Sequence, residues 1–410
     1  MSSEHQYSLI AKGLTAASAV LFAALISIAA IAPVEDDNEH PEWGFYGHRL
    51  INKLAVFCLP QDVLPFFKKN IEYLTEHAVD PDKRRYATRH EAARHYIDID
   101  AWGTFPFKEV PRDFNSALVK YSHYKLVNGQ DTSALIASTT DSLFLLMDAD
   151  SLTVYTTPMD SFRLFFRNYI RPQYYEDEWT VTTGAVDSNL QLQGMLLVED
   201  HFSQEGILPY HLSSMKAWLT KAFTEGDVDR ILRLSAEFGH YIGDAHVPLH
   251  TTRNYNGQLT DQVGIHAFWE SRIPELFAEA EYNFIVGRAE YIENTNKYFW
   301  DVVLDSHKLL DDVLDIEKEL SKTFPNDKQY CYDERLDRTI RVQCPEYAKA
   351  YQDRMNGMVE ARMQDAILSI ASVWYTCWVD GGQPDLGRET VKLEPEVIER
   401  DNNVKPRSHE

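Results

Sequence analysis

The chain lacks the devices that several common chemistries need. Its 410 residues include only four cysteines, Cys58, Cys331, Cys344 and Cys377. No two of these form a C-x-x-C pair, which argues against a thiolate zinc finger or a dithiol redox motif. There is no G-x-S-x-G elbow to present a nucleophilic serine, no glycine-rich loop to cradle a phosphate chain, and no internal repeat. Positive charge is scarce, with 40 Lys and Arg against 63 Asp and Glu, for a net charge of −23. That balance opposes broad adhesion to DNA or to an anionic membrane. It leaves a small phosphorylated substrate open, because bound cations can invert the field inside a pocket. Histidine, by contrast, is plentiful at 15 residues, and 44% hydrophobic residues can supply a sizeable core.

The first stretch of note is Leu14 to Ala32, where every residue is apolar or small and uncharged, just after Lys12. About 20 such residues suffice for a signal peptide or a membrane anchor, so residues 1–32 are expected to direct export. Ala30-Ile31-Ala32 has the small-x-small form of a cleavage site, but Pro33 follows directly. Residues 33–42 read as an acidic linker. A single domain is expected over 43–387, followed by a charged tail at 388–410 without periodicity, expected to be disordered.

Within the domain the dominant period is helical. Ile51, Leu54, Ala55 and Cys58 recur on one face until Pro60, and a second helix is expected from Asp62 to about His77. Asp80-Pro81-Asp82 reads as a turn, with Asp82 serving only turn chemistry. Further helices are expected from Pro209, over Asp227–Ala245, over about Gly264–Glu279, and near 296–322 and 346–379. The stretch from about 130 to 205 is rich in Thr, Ser and Asp. It contains β-branched runs such as Thr180-Val181-Thr182-Thr183, and reads as an insertion of mixed structure. Cys331 and Cys344 flank a polar stretch with hairpin character, where a disulfide and two free thiols are both open.

Chemistry concentrates in the later helices. His240 and Asp244 lie four apart on Asp227–Ala245, a spacing that lets two side chains grip one ion. His250 follows Pro248 just beyond that helix, and the next helix repeats the device with His266 and Glu270. One such histidine alone reads as a hydrogen-bonded core residue. Two consecutive i, i+4 pairs with a histidine between them are far more specific. His48, Asp80 and His95 are weaker candidates taken singly, with bland readings as a cap, a turn residue and a surface histidine.

Taken together, Trp43-Gly-x-x-Gly-His48, Asp80-Pro-Asp, His95-Tyr-Ile-Asp98, His240-x-x-x-Asp244-x-x-x-Pro-Leu-His250 and His266-x-x-x-Glu270 resemble the zinc-dependent phospholipase C and single-strand-specific nuclease superfamily. The resemblance runs in chain order from Trp43 to Glu270. It implies an all-α, multi-helix bundle-like fold with a zinc cluster in a cleft, and hydrolysis of phosphate esters by an activated water. Carried over by position, Asp80, His95, His240 and Asp244 would surround a first Zn²⁺, and His250, His266 and Glu270 a second. His48 and Asp244, with the main-chain amine and carbonyl of Trp43, would hold a third. Asp80 would orient or deprotonate the attacking water, while Tyr96 and Asp98 would bind substrate. Asp98, His246 and Asn254 are candidates to fix the ligand imidazoles from behind.

Two features depart from the family. Its tryptophan is the mature N-terminus, whereas Trp43 follows ten linker residues, so the third ion requires trimming before Trp43. The interval from His95 to His240 is also long, at 145 residues, which the insertion explains. Glu270 looks like the phospholipase branch and His95-Tyr-Ile-Asp98 like the nuclease branch. The expected substrate is therefore a phospholipid or other small phosphodiester, with single-stranded nucleic acid or a nucleotide as the alternative. From another class, a membrane-anchored, non-catalytic zinc-binding scaffold with the insertion closing the cleft is also open.

Overall fold

The helical periodicity is realised over most of the chain, and two antiparallel sheets are added to it. The structure is a computed structural model that describes residues 45–387, apart from 86, 141–142, 149–153, 172–179, 184–194 and 336–337. The leader over 1–32, the linker, Trp43 and the tail over 388–410 lie outside the described residues. Among the described residues no helix is long and apolar enough to cross a membrane.

Three helices form the frame of the site. Phe45–Ala55 buries His48, Ile51, Asn52 and Ala55 along one stripe. Val228–Ala245 starts at Asp227, whose side chain accepts from the Arg230 amide, and ends where Pro248 opens a 3₁₀ turn through Thr251. Met358–Asp380 is buried along nearly its whole length. Its Trp374 stacks on Phe67 at 5.0 Å and donates to the Ser235 carbonyl at 3.0 Å. The first two helices approach closely because Gly239 and Gly243 lie four apart on the facing stripe. A Cβ at 239 would fall 1.9 Å from Asn52 Oδ1, and one at 243 would fall 2.9 Å from His48 Nδ1. Asn52 uses the intimacy to donate to the Leu74 and Ala236 carbonyls, at 3.2 and 2.9 Å.

Several expected helices are broken. The one expected from Asp62 is two short helices, Leu64–Lys69 and Ile71–Glu76, parted at Asn70. The one near 296–322 divides into Thr295–His307 and Leu310–Thr323. The last splits into Pro345–Arg354 and Met358–Asp380 around Gly357 at φ +81°.

The all-α expectation holds in part: the chain is mostly helical. The region expected to be of mixed structure begins earlier than expected, at His123, and carries a six-stranded antiparallel sheet in the order β4-β3-β2-β1-β6-β5. Its strands are β1 (His123–Asn128), β2 (Asp131–Thr139), β3 (Leu143–Asp148), β4 (Val154–Pro158), β5 (Thr180–Thr183) and β6 (Met195–Glu199). Tyr124, Leu135, Phe144, Leu146, Leu196 and Val198 are buried, and Phe162 of the helix Met159–Phe165 stacks on Phe144 at 3.6 Å. Leucine, aromatic and valine side chains at alternate buried positions outweigh the Thr- and Ser-rich composition, because a pleated strand needs only every second side chain to be apolar. A second hairpin pairs β7 (Tyr330–Arg335) with β8 (Arg338–Gln343). Cys331 and Cys344 form a disulfide there, and Cys58 and Cys377 are buried free thiols.

Candidate metal centre

Every described histidine expected as a ligand is buried, and the five converge. His48 sits in the first turn of its helix, 5% exposed. Its Nε2 lies 3.4 Å from Asp244 Oδ1 and 3.3 Å from Glu270 Oε1. Its ring stacks on His240 at 3.9 Å, in the space that Gly243 leaves open. His240 and Asp244 face the same point because one helical turn separates them. His240 Nε2 is 3.4 Å from Asp244 Oδ2 and 3.0 Å from His95 Nδ1. His95 Nδ1 in turn is 2.9 Å from Asp244 Oδ2.

On the other side, His250 Nε2 is 3.0 Å from His266 Nε2 and 3.3 Å from Glu270 Oε2. His266 Nε2 is 2.6 Å from Glu270 Oε2. A single π turn over Phe268–Arg272 interrupts this helix at Glu270, a distortion often found at functional sites. Glu270 consequently reaches two ways, with Oε1 toward His48 and Oε2 toward His250 and His266. Asp244 also splits its oxygens, Oδ2 toward His95 and His240, Oδ1 toward His48.

The acid at the entrance is not the one expected. Asp80 does not join the cluster. Its oxygens are taken by His77 Nδ1 at 2.5 Å and Lys83 Nζ at 2.7 Å. Asp82, expected to serve only the turn, lies 3.4 Å from His240 Nε2 and 3.8 Å from His95 Nδ1, with its side chain 14% exposed. The segment is a short helix, Asp80–Arg84, and residues two apart on a helix point to opposite sides. Only one of the two carboxylates can face inward. Arg85, also unforeseen, sits 3.4 Å from Asp82 Oδ1 and steadies it.

The supporting residues differ from those expected as well. His250 Nδ1 pairs with the His95 carbonyl at 2.5 Å, which fixes its tautomer and leaves Nε2 free to coordinate. Behind His95, Glu91 Oε1 is 3.7 Å from Nε2 and also accepts from the Tyr241 hydroxyl. Thr88 caps the short helix Arg89–Ala92 that carries Glu91. His246 instead bonds the Ile242 carbonyl and Ser369, and Asn254 holds its own loop through Leu259 and Thr260. Tyr96 and Asp98 are 8% and 3% exposed. The Tyr96 hydroxyl donates to the Gln204 carbonyl and the Asp98 amide to that of Glu205, which ties both residues to the 203–206 turn. Trp43 lies outside the described residues.

The donor set fits divalent cations. Three triads have their ligand atoms within 4.8 Å of one another here: His48, His240 and Asp244; Asp82, His95 and His240; and His250, His266 and Glu270. His240 offers one inward nitrogen and can serve only one ion at a time. Paired ring nitrogens 3.0 Å apart cannot both carry protons, yet the spacing is close to the edge of a tetrahedron with zinc–nitrogen bonds of about 2.0–2.1 Å. His48 Nδ1 and His240 Nδ1 are buried without hydrogen-bond partners. These groups can hold metal ions.

Charge points the same way. Burial opposes ionisation of Asp244, but His240, His250 and His95 hold its carboxyl down at about 2. Burial likewise disfavours the His250 imidazolium, yet Glu270 and Asp244 raise it to about 9. Without a metal, the protein keeps a proton among these donors near neutral pH. The His250 contribution to stability is complete below the ordinary histidine value near 6.5 and is lost as pH rises through about 9. That of Asp244 is present above about 3.9 and is lost as pH falls through about 2. Metal-stripped protein should accordingly melt lower at pH 9 than at pH 6.5, and metal affinity should climb over the same interval as the competing proton leaves. Differential scanning calorimetry and metal titration at both pH values check this. An affinity flat from pH 6.5 to 9 would remove His250 from the ligand set.

In comparisons with known proteins, no family model matches the chain, and no curated protein matches it significantly.

Proposed function

We propose that this protein is a zinc-dependent hydrolase of phosphate esters, of the phospholipase C and single-strand-specific nuclease kind. The observation that carries this reading is the convergence of five imidazoles and three carboxylates, drawn from 48 to 270 in the chain, on one buried place. His95, His240, Asp82 and Asp244 would hold one ion, and His250, His266 and Glu270 a second. His48 with Asp244 would contribute to a third if Trp43 becomes the chain terminus. Bound there, zinc supplies a Lewis acid for a phosphoryl oxygen and draws the pKa of water toward neutrality.

The chain's own residues do the rest. Asp82 lies beside His95 and His240, which against the opposing effect of burial join Arg85 in holding its carboxyl well below the ordinary range, so it stays ionised and can orient an attacking water. Arg85 holds that carboxylate in place. Asp244 and Glu270, each with oxygens turned two ways, fix the spacing between the halves of the cluster, so that nucleophile and phosphoryl group meet in one geometry. Burial of the set excludes bulk water and strengthens each electrostatic contact.

A small phosphodiester, such as a phospholipid head group, is favoured over a nucleic acid. The net charge of −23 repels a long polyanion more than a small ester. Export is supported by the Cys331–Cys344 disulfide, which suits an oxidising compartment.

Protein purified without chelators should carry two or three zinc ions by elemental analysis. It should hydrolyse bis-p-nitrophenyl phosphate, lose that activity with a chelator and regain it with Zn²⁺. Among natural substrates, phosphatidylcholine should be cleaved faster than single-stranded DNA or a 3′-nucleotide. A metal count of zero ends the hypothesis.

A further inference from the structure

A second group of metal-binding side chains lies outside the centre, at the base of the inserted sheet. His123 opens β1, and Glu199, which closes β6, is its direct partner across the strands. His201 follows two residues later. The imidazoles of His123 and His201 face each other with centroids 3.9 Å apart and planes 34° apart. Glu199 Oε2 lies 3.7 Å from His201 Nε2, while Oε1 is occupied by Lys125 Nζ at 2.6 Å. One ligand atom from each of the three residues falls within 4.8 Å of the others.

From this juxtaposition we infer that His123, Glu199 and His201 form an exchangeable site for a divalent transition-metal ion of the Zn²⁺ or Cu²⁺ type. Two imidazoles and a carboxylate are borderline donors that select such ions over Mg²⁺ or Ca²⁺. Cross-strand pairing fixes the backbone beneath His123 and Glu199, so only side-chain rotation is needed to close the triad to coordination distance. Burial, together with the neighbouring His201, holds the His123 imidazole below its ordinary value, and the ring is ready as a neutral donor. The carboxylate can keep Lys125 on one oxygen and give the other to the ion. His123 is exposed and His201 side-chain exposure is 40%, so the ion would exchange with solvent, in contrast to those in the buried centre.

The location gives the site a consequence. His123 and Glu199 are the first and last residues of the sheet insertion, and an ion between them clips its entrance to its exit. The chain beyond His201 bonds directly to the segment bearing His95, through Glu205 to the Asp98 amide at 2.7 Å and from the Leu208 amide to the Tyr96 carbonyl at 3.0 Å. Occupancy would stiffen the wall of the centre without sharing a ligand with it.

Full-length protein with its centre already loaded should be titrated with Zn²⁺ by calorimetry and with Cu²⁺ by electron paramagnetic resonance. One further, weaker site is expected, with coupling of Cu²⁺ to two nitrogens. The double variant His123→Ala, His201→Ala should weaken it at least tenfold while the tightly held zinc count stays unchanged. Lys125→Gln should tighten it by freeing Glu199, and Asp244→Asn should leave it intact, which separates this site from the fate of the proposed hydrolase activity. Retention of the weak site in the double variant, or its loss in Asp244→Asn, would overturn the inference.

Discussion

Asp82→Asn is expected to lower phosphodiester turnover by about 10²-fold or more, the order for misplacing an attacking water, while Asp80→Asn stays within a few-fold of wild type. The two carboxylates are neighbours in sequence and look interchangeable there. In the folded chain Asp80 spends its oxygens on His77 and Lys83, a local pairing whose loss costs at most about 1 kcal/mol of stability in partly solvated surroundings. Asp82 turns toward His95 and His240. The measurement is kcat and KM for bis-p-nitrophenyl phosphate on both variants at equal zinc occupancy. The reverse outcome, with Asp80→Asn inactive and Asp82→Asn active, would restore the assignment read from sequence and discard the structural one.

The second large effect is expected at Asp244. Its carboxylate sits 1% exposed among His48, His95, His240 and His250. Asp244→Ala leaves those imidazoles without their central acceptor and opens space where the carboxylate stood. Removing one partner of a buried ionic group costs about 3–5 kcal/mol, and the lost metal adds its own linkage to folding. The variant should lose at least one zinc ion per chain and its melting temperature should fall by several degrees or more, since about 2–4 °C per kcal/mol holds for about 150–250 residues and less for a larger domain. Asp244→Asn, which keeps the shape, should fold better than the alanine variant yet still lose metal. Elemental analysis and calorimetry on the three proteins check this. A full metal complement in Asp244→Ala would place the ions elsewhere.

Part of the candidate centre was legible because helical spacing is a strict geometric rule. His240 with Asp244 and His266 with Glu270 had to share a face if their segments were helical, and the aperiodic 3₁₀ turn after Pro248 had room to bring His250 back. His95 gave a weaker signal, since nothing local says that a histidine 145 residues before His240 will meet it at 3.0 Å. Asp82 and Glu91 were missed. A signal for Asp82 was present, because an Asp-Pro-Asp at a helix start always offers one inward and one outward carboxylate, but the sequence has no means of choosing between them. For Glu91 the only cue was its place four residues before His95.

The sheet shows the same division. Leu143–Asp148 and Met195–Glu199 are nearly continuous apolar runs in sequence, so the alternation of buried and open positions along Leu143–Asp148 is not legible there, and short strands do not announce their partners. Their order follows from which apolar faces remain to be covered, in this case by Phe162 and its helix.

By itself, then, the amino-acid order determined the acidic net charge, and, through neighbours within a turn or two, the helical framework and the two pairs spaced four residues apart that could hold a metal. The tertiary structure alone decided which of Asp80 and Asp82 faces the histidines, that Tyr96 and Asp98 are covered, and that Glu270 and Asp244 reach in two directions. These outcomes depend on close approach between segments distant in the chain, made possible at Gly239 and Gly243, where no side chain intervenes.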